Sequence, residues 1–181
     1  MSASAPCARR RHERGDSVSA VLKAAAGDMP DLRAMTPEDI ARVLQIENDI
    51  YPFPWTAGNF ADSLAAGYHC WLHLNGGKLA AYAVVMMGAG EAHLLNLSVA
   101  RAQQRRGLGA RLLAVLMAQA HHYGAHNMLL EVRPSNTAGI ALYTRAGFTQ
   151  LGQRRGYYPA PSGREDALVF GRSLPAGRSA A

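Results

Sequence analysis

Apolar positions alternate or run together between residues 68 and 99 and again between 128 and 173, and stretches with helical spacing separate them. A short strand is expected near Leu32. Thr36-Pro37-Glu38-Asp39 reads as a helix start, with proline at the first helical position and an acid three residues past the threonine. Ile40, Val43, Leu44 and Ile50 lie on that helix's stripe, and Pro52-Phe53-Pro54-Trp55 ends it because proline has no N–H for the ladder. Thr56 caps a second, short helix to about residue 64. Residues 68–74 and 79–87 flank Asn75-Gly76-Gly77, which predicts an antiparallel hairpin, and residues 92–99 supply a third strand. The loop 101–106 leads into a long apolar helix over about 107–123, closed by Gly124. Residues 128–132 read as a buried strand, Ser135 or Asn136 caps a helix ending at Gly147, and 148–158 and 167–173 supply the closing strands. The order β-α-α-β-β-β-α-β-α-β-β predicts an α/β layer fold with a mixed central sheet flanked by helices.

Composition narrows this to one domain. The chain has 181 residues, 49% of them hydrophobic and 18% charged, enough apolar material for a core. Residues 1–28, rich in Ala, Ser and Arg, read as a disordered basic arm, 29–173 as the folded domain and 174–181 as a flexible tail. No apolar run approaches the roughly 20 residues of a membrane span, and residues 1–28 carry no secretory apolar core, so a cytoplasmic protein is expected. Cys7 and Cys70 are too few for a disulfide scaffold. The net charge of +6 suits a polyanionic ligand, but Lys and Arg are scattered, and no direct nucleic-acid contact is expected. His121, His122 and His126 gather near a helix end without the acids or cysteines of a metal site, so no metal is expected.

The candidate chemistry begins where strand 92–99 meets Gln104-Arg105-Arg106-Gly107-Leu108-Gly109-Ala110. A helix start after a strand favours anions through its free N–H groups and dipole, and glycines there admit a close ligand. Neither G-x-G-x-x-G nor G-x-x-x-x-G-K-[ST] occurs, which sets aside the dinucleotide fingerprint and the P-loop.

Gln104-x-x-Gly107-x-Gly109 resembles the pyrophosphate-binding motif of the GNAT acetyltransferases. Ala138 through Phe148, with Leu142-Tyr143 and Gly147-Phe148, resembles the second half of the same fold. Within that family the similarity is greatest to RimI-type ribosomal-protein-alanine N-acetyltransferases. It rests on Phe53-Pro54-Trp55, Glu131-Val132-Arg133, Ser135-Asn136, Arg154 to Pro159 and Gly163 to Ala167, and so covers about residues 32–173.

The resemblance implies a GNAT fold and transfer of acetyl from acetyl-CoA, by direct attack, to a protein α-amine. The partner it implies is the N-terminal alanine of a small-subunit ribosomal protein. It assigns Glu131 as general base and Tyr143 as general acid. It places acetyl-CoA against Leu97, Ser98 and Val99, against Arg105, Arg106, Gly107, Leu108, Gly109 and Ala110, and against Asn136. The strand at 97–99 is expected to splay from its neighbour, leaving the Val99 N–H for the acetyl carbonyl oxygen. Phe53, Trp55, Tyr157 and Tyr158, aromatics on loops, are candidates to grip the peptide, with packing beneath a loop as the alternative for Trp55, Tyr157 and Tyr158. An α-amine titrates about 2.4 units below lysine, roughly 3.3 kcal/mol easier to deprotonate, so a weak base suffices. Partial burial is expected to raise Glu131 toward a useful range, and a salt bridge to Arg133 or another cation is its alternative role. Tyr143 has a core-packing alternative and Asn136 a helix-cap alternative. Acetylation of a lysine or small amine, and a non-catalytic acetyl-CoA sensor, are the rival functions.

Overall fold

The structure, a computed structural model, describes residues 29–174, so the arm expected over 1–28 and most of the expected tail lie outside it. Seven strands form one sheet: β1 (Leu32–Ala34), β2 (His69–Asn75), β3 (Lys78–Gly88), β4 (Glu91–Val99), β5 (Asn127–Val132), β6 (Thr149–Ala160) and β7 (Gly163–Ser173), in the order β1-β2-β3-β4-β5-β7-β6. Helices α1 (Ile40–Ile50), α2 (Ala57–Ala65), α3 (Leu108–His122) and α4 (Thr137–Arg145) cover it. All pairings are antiparallel except β4 with β5, as the crossover through α3 requires.

Period-two alternation divides the core between the sheet's faces. Trp71, Ala81, Ala83 and Val85 pack with Leu112, Leu113 and Leu116 of α3 and with Met128, Leu130 and Val132 of β5. The intervening Cys70, Leu72, Tyr82 and Val84 pack with Val43, Ile46 and Phe60 beneath α1 and α2. Strand β3 is therefore buried on both faces, which is why it reads as a continuous apolar run.

The punctuation works as expected at most boundaries. Gly76 and Gly77 take positive φ of 58° and 76° in the β2–β3 turn. Residues Pro37–Asp39 form a 3-10 turn before α1, with Asp39 accepting from the Thr36 N–H and hydroxyl and pairing with Arg33. Two expectations are corrected. Strand β7 begins at Gly163, four residues earlier than expected, because the polar run Arg164-Glu165-Asp166 is consumed by bonds to neighbouring segments. The domain extends through Leu174, which the expected tail included: it is 7% exposed and its N–H bonds the His126 carbonyl.

Candidate active site

Strands β4 and β5 run side by side only from Glu91↔Asn127 to Leu94↔Leu130. Leu95 has no partner across β3, a bulge between Val84↔Asn96 and Val85↔Leu94, and beyond it β4 leaves β5. The expected splay therefore exists. The Ala100 N–H bonds Ala80 on β3, so the Val99 N–H, one residue back, faces the opening. The Val99 carbonyl, on the same side, accepts from Gln104 Nε2 at 3.0 Å. Gln104 of the motif thereby ties the loop to the strand end.

A cavity of about 1150 Å³ fills the splay. Leu97 and Val99 form one wall and the N-terminal turn of α3 another. Gly107 is the N-cap, at φ 78°, and the N–H groups of Leu108, Gly109 and Ala110 in that first turn have no intrahelical acceptor. Arg105 lines the cavity and holds a left-handed φ of 62°, uncommon for a residue with a Cβ. Arg106 is exposed, outside the cavity lining, and leans on Gln103. A Cβ on Gly109 would meet Leu97, Val99 and Leu142 at ordinary contact distance, so helix–strand packing alone does not demand a glycine at this position. The donors, the cation and the elongated apolar space fit a phosphate-bearing thioester with a long arm.

Gly107→Val is accordingly expected to weaken acetyl-CoA binding at least 10-fold, because the left-handed cap, at φ 78°, disfavours a β-branched residue by about 1–2 kcal/mol and the first turn that carries the free N–H groups must shift to relieve it. Calorimetry with unchanged affinity would contradict the assignment of this loop.

Asn136, not Ser135, caps α4, its Oδ1 accepting from the Gly139 N–H at 2.9 Å while the residue also lines the cavity. The cap and cavity positions coincide. Tyr143, on α4, lines the cavity with its ring packed edge-on to Phe148 at 5.9 Å, and the residue is 8% exposed. Burial pushes its phenol well above the usual range, and the nearby Tyr51 and Tyr158 phenols add to that. The proton therefore stays on Tyr143 at any working pH.

Glu131 departs from expectation. Its carboxylate contacts His93 Nε2 on β4 and Arg154 Nη2 on β6, both at 3.1 Å, not Arg133. The pairing with His93, assisted by Arg154, holds it below the usual carboxylate range despite burial, so the expected upward shift is corrected. It stands outside the cavity lining, on the opposite face of β5 from Leu130 and Val132. Burial raises the Tyr158 phenol, and the charges of Glu131 and Tyr51 add to that.

Among the aromatic candidates, Phe53 lines the cavity and is 39% exposed. The Arg133 guanidinium spans from its ring, at 5.9 Å, to that of Tyr158 at 4.2 Å, and is pinned by Glu165 at 3.1 Å. Tyr157, 41% exposed, packs edge-on to Tyr158 and carries Arg154 at 5.6 Å. Trp55 is half-buried, tilted on Phe60 at 5.3 Å against the core beneath α1 and α2, which favours its packing role over a grip through the ring. Ser98 is 3% exposed and lies outside the cavity lining, and its backbone N–H and C=O, with the parity of Ala100, face Tyr82 on β3, so Leu97 and Val99 are the β4 residues that turn their backbone to the opening.

Sequence inspection missed how the hairpin loop is held. In β6, residues 155–157 bulge between Arg154↔Ala167 and Tyr158↔Glu165. Asp166 accepts the Gly156 N–H at 2.7 Å and Arg164 donates to the carbonyls of Gly156 and Tyr157. The charge run, which by composition resembles a solvated turn, is the clamp that presents Tyr158.

Residues 40–148 match the acetyltransferase (GNAT) family. The chain is 37% identical over 142 residues to the [ribosomal protein bS18]-alanine N-acetyltransferase of Escherichia coli K12, covering 78% of this chain and 96% of that protein. It is 33% identical over 140 residues to the protein of the same name from Haemophilus ducreyi, covering 77% and 97%. The crystal structure of the Escherichia coli ribosomal-protein-S18-alanine N-acetyltransferase superposes with a TM-score of 0.74 at 35% identity, covering 83% of this chain and 97% of that one.

Proposed function

Because the chain belongs to the GNAT acetyltransferase family and is an acetyl-CoA-dependent N-acetyltransferase, we propose that it works in the cytoplasm on a protein α-amine, the N-terminal alanine of ribosomal protein bS18. One observation carries the choice of a chain end over a lysine: Arg133 stacks on both Phe53 and Tyr158 across the amine end of the cavity. The α1–α2 loop and the β6–β7 hairpin are thereby drawn together over that end, which suits a single terminus threaded between them.

Acetyl-CoA brings an activated carbonyl and a thiol leaving group. The first turn of α3 and Arg105 hold its phosphates, and Leu97 and Val99 hold the arm by backbone and apolar contact. The Val99 N–H donates to the acetyl carbonyl oxygen as charge gathers there. Glu131 takes up the amine proton through the polar end of the site. Tyr143 donates its proton to the departing sulfur. Desolvation disfavours a free thiolate in the same space, which favours its protonation by the phenol.

The test uses two peptides, one alanine-led with a free terminus and one blocked at its terminus but carrying lysine. Only the first should be acetylated. Since Glu131 is held below the usual carboxylate range, kcat/KM should rise with the amine's own deprotonation, reaching half its maximum near about pH 8 and a plateau above about pH 9. Preferential acetylation of the blocked peptide's lysine would overturn the proposal.

A further inference from the structure

A buried polar chain of four side chains runs from α1 to the cavity wall. Glu47, 1% exposed on α1, accepts the Asn96 Nδ2–H at 2.5 Å through one oxygen and the Trp55 backbone N–H at 3.4 Å through the other. The Ser98 hydroxyl donates to Asn96 Oδ1 at 2.9 Å, and the Tyr51 hydroxyl lies 2.8 Å from Ser98 Oγ. Tyr51 lines the cavity and neighbours Tyr143 and Tyr158.

The proton directions in this chain are fixed by its buried end. A carboxylate only accepts, so it draws the NH2 side of Asn96 toward itself and turns the carbonyl oxygen to Ser98. Ser98 has one proton and spends it on Asn96, so Tyr51 must be the donor in the Tyr51–Ser98 bond. The Tyr51 oxygen then presents only lone pairs to the cavity. Burial raises the Tyr51 phenol, so it does not ionise at working pH. The buried Tyr82 hydroxyl lies beside Glu47 and Ser98, and Ser98 retains a lone pair for it.

We propose that Tyr51 is a substrate-binding residue whose oxygen accepts a hydrogen bond from the incoming amine, and that Glu47, Asn96 and Ser98 are positioning residues that hold it in the acceptor orientation. An amine offers N–H donors and must keep its own lone pair free for the thioester carbon. A fixed acceptor on the wall grips it by those donors and leaves that lone pair directed at the carbon. A phenol free to rotate would instead donate to the nitrogen and blunt it. The inference rests on the N-acetyltransferase reading above.

The experiment compares wild type with Tyr51→Phe, Ser98→Ala, their double variant and Glu47→Gln. Steady-state kinetics use whichever amine the wild type acetylates, so the wild-type rate on the alanine-led peptide tests the substrate reading by itself. Tyr51→Phe and Ser98→Ala should each raise KM for the amine on the order of 10-fold, the scale of one hydrogen bond, with kcat within about 3-fold. The double variant should be no worse than Tyr51→Phe, because Ser98 acts only through Tyr51. Calorimetry should give an unchanged acetyl-CoA Kd. Glu47→Gln, whose amide can turn its NH2 toward Asn96, should raise KM in the same sense. An unchanged amine KM in Tyr51→Phe, or multiplying losses in the double variant, overturns the proposal.

Discussion

Replacing Tyr143 by phenylalanine is expected to lower the rate of acetyl transfer on the order of 10²-fold while leaving the fold and acetyl-CoA affinity in place. The change deletes one hydroxyl and keeps the ring that packs on Phe148 and fills the wall beside Leu142. No hydrogen bond to another described residue is lost with it, so there is no partner to leave unpaired. In the reaction proposed above, the hydroxyl serves the leaving sulfur. A tyrosine kept for packing would behave in the opposite way, with a full rate per folded molecule. Single-turnover acetylation and thermal unfolding, measured on one preparation, separate the two, and a full rate in Tyr143→Phe removes the residue from the reaction.

Glu131→Gln is expected to lower turnover roughly 10²–10³-fold at neutral pH with little change in acetyl-CoA affinity. The carboxylate stands outside the cavity lining, whereas the first turn of α3, proposed to hold the phosphates, forms one of its walls. The loss should shrink above about pH 8, where solvent has already deprotonated an α-amine. The carboxylate also holds His93 and Arg154, and the glutamine weakens both contacts. That part of the effect belongs to stability and has its own pH sense. A carboxylate lowered in the folded protein stabilises the fold above its unfolded pKa, and the contribution fades as pH falls through the folded value. Wild type should therefore lose its stability advantage over Glu131→Gln in acid, whereas the kinetic deficit should close in base. A rate deficit that stays constant from neutral to alkaline pH assigns Glu131 to holding the strands instead of accepting the proton.

What the chain discloses by inspection is whatever is local. Asn75-Gly76-Gly77 needs only neighbouring residues to specify a hairpin, and Thr56 with Asn59 caps α2 within one turn. The Gln104 to Ala110 loop is legible for the same reason, since a helix start advertises itself in sequence. The partners of Glu131 are not local. His93 reaches it across the β4–β5 pair and Arg154 across β7, and both reverse the shift that burial alone gives. Trp55, in a proline-rich loop, reads equally as a peptide grip or as packing, and Phe60, one helical turn into α2, tilts against its ring at the edge of the core. Glu47 and Asn96 lie 49 residues apart, and no periodicity links a helix carboxylate to an amide beside a strand bulge. Arg164, Glu165 and Asp166 show the general difficulty: the composition of a solvated turn also serves a clamp, and only the register of β6 on β7 distinguishes them.

The most direct test of the central claim is the N-terminal acetyl occupancy of ribosomal protein bS18, read by mass spectrometry of ribosomes from the source cell with and without this protein. Its loss should leave the alanine of bS18 unacetylated, and restoring the wild-type chain, but not Tyr143→Phe at equal abundance, should restore full occupancy. An alanine that stays fully acetylated in its absence would contradict the account.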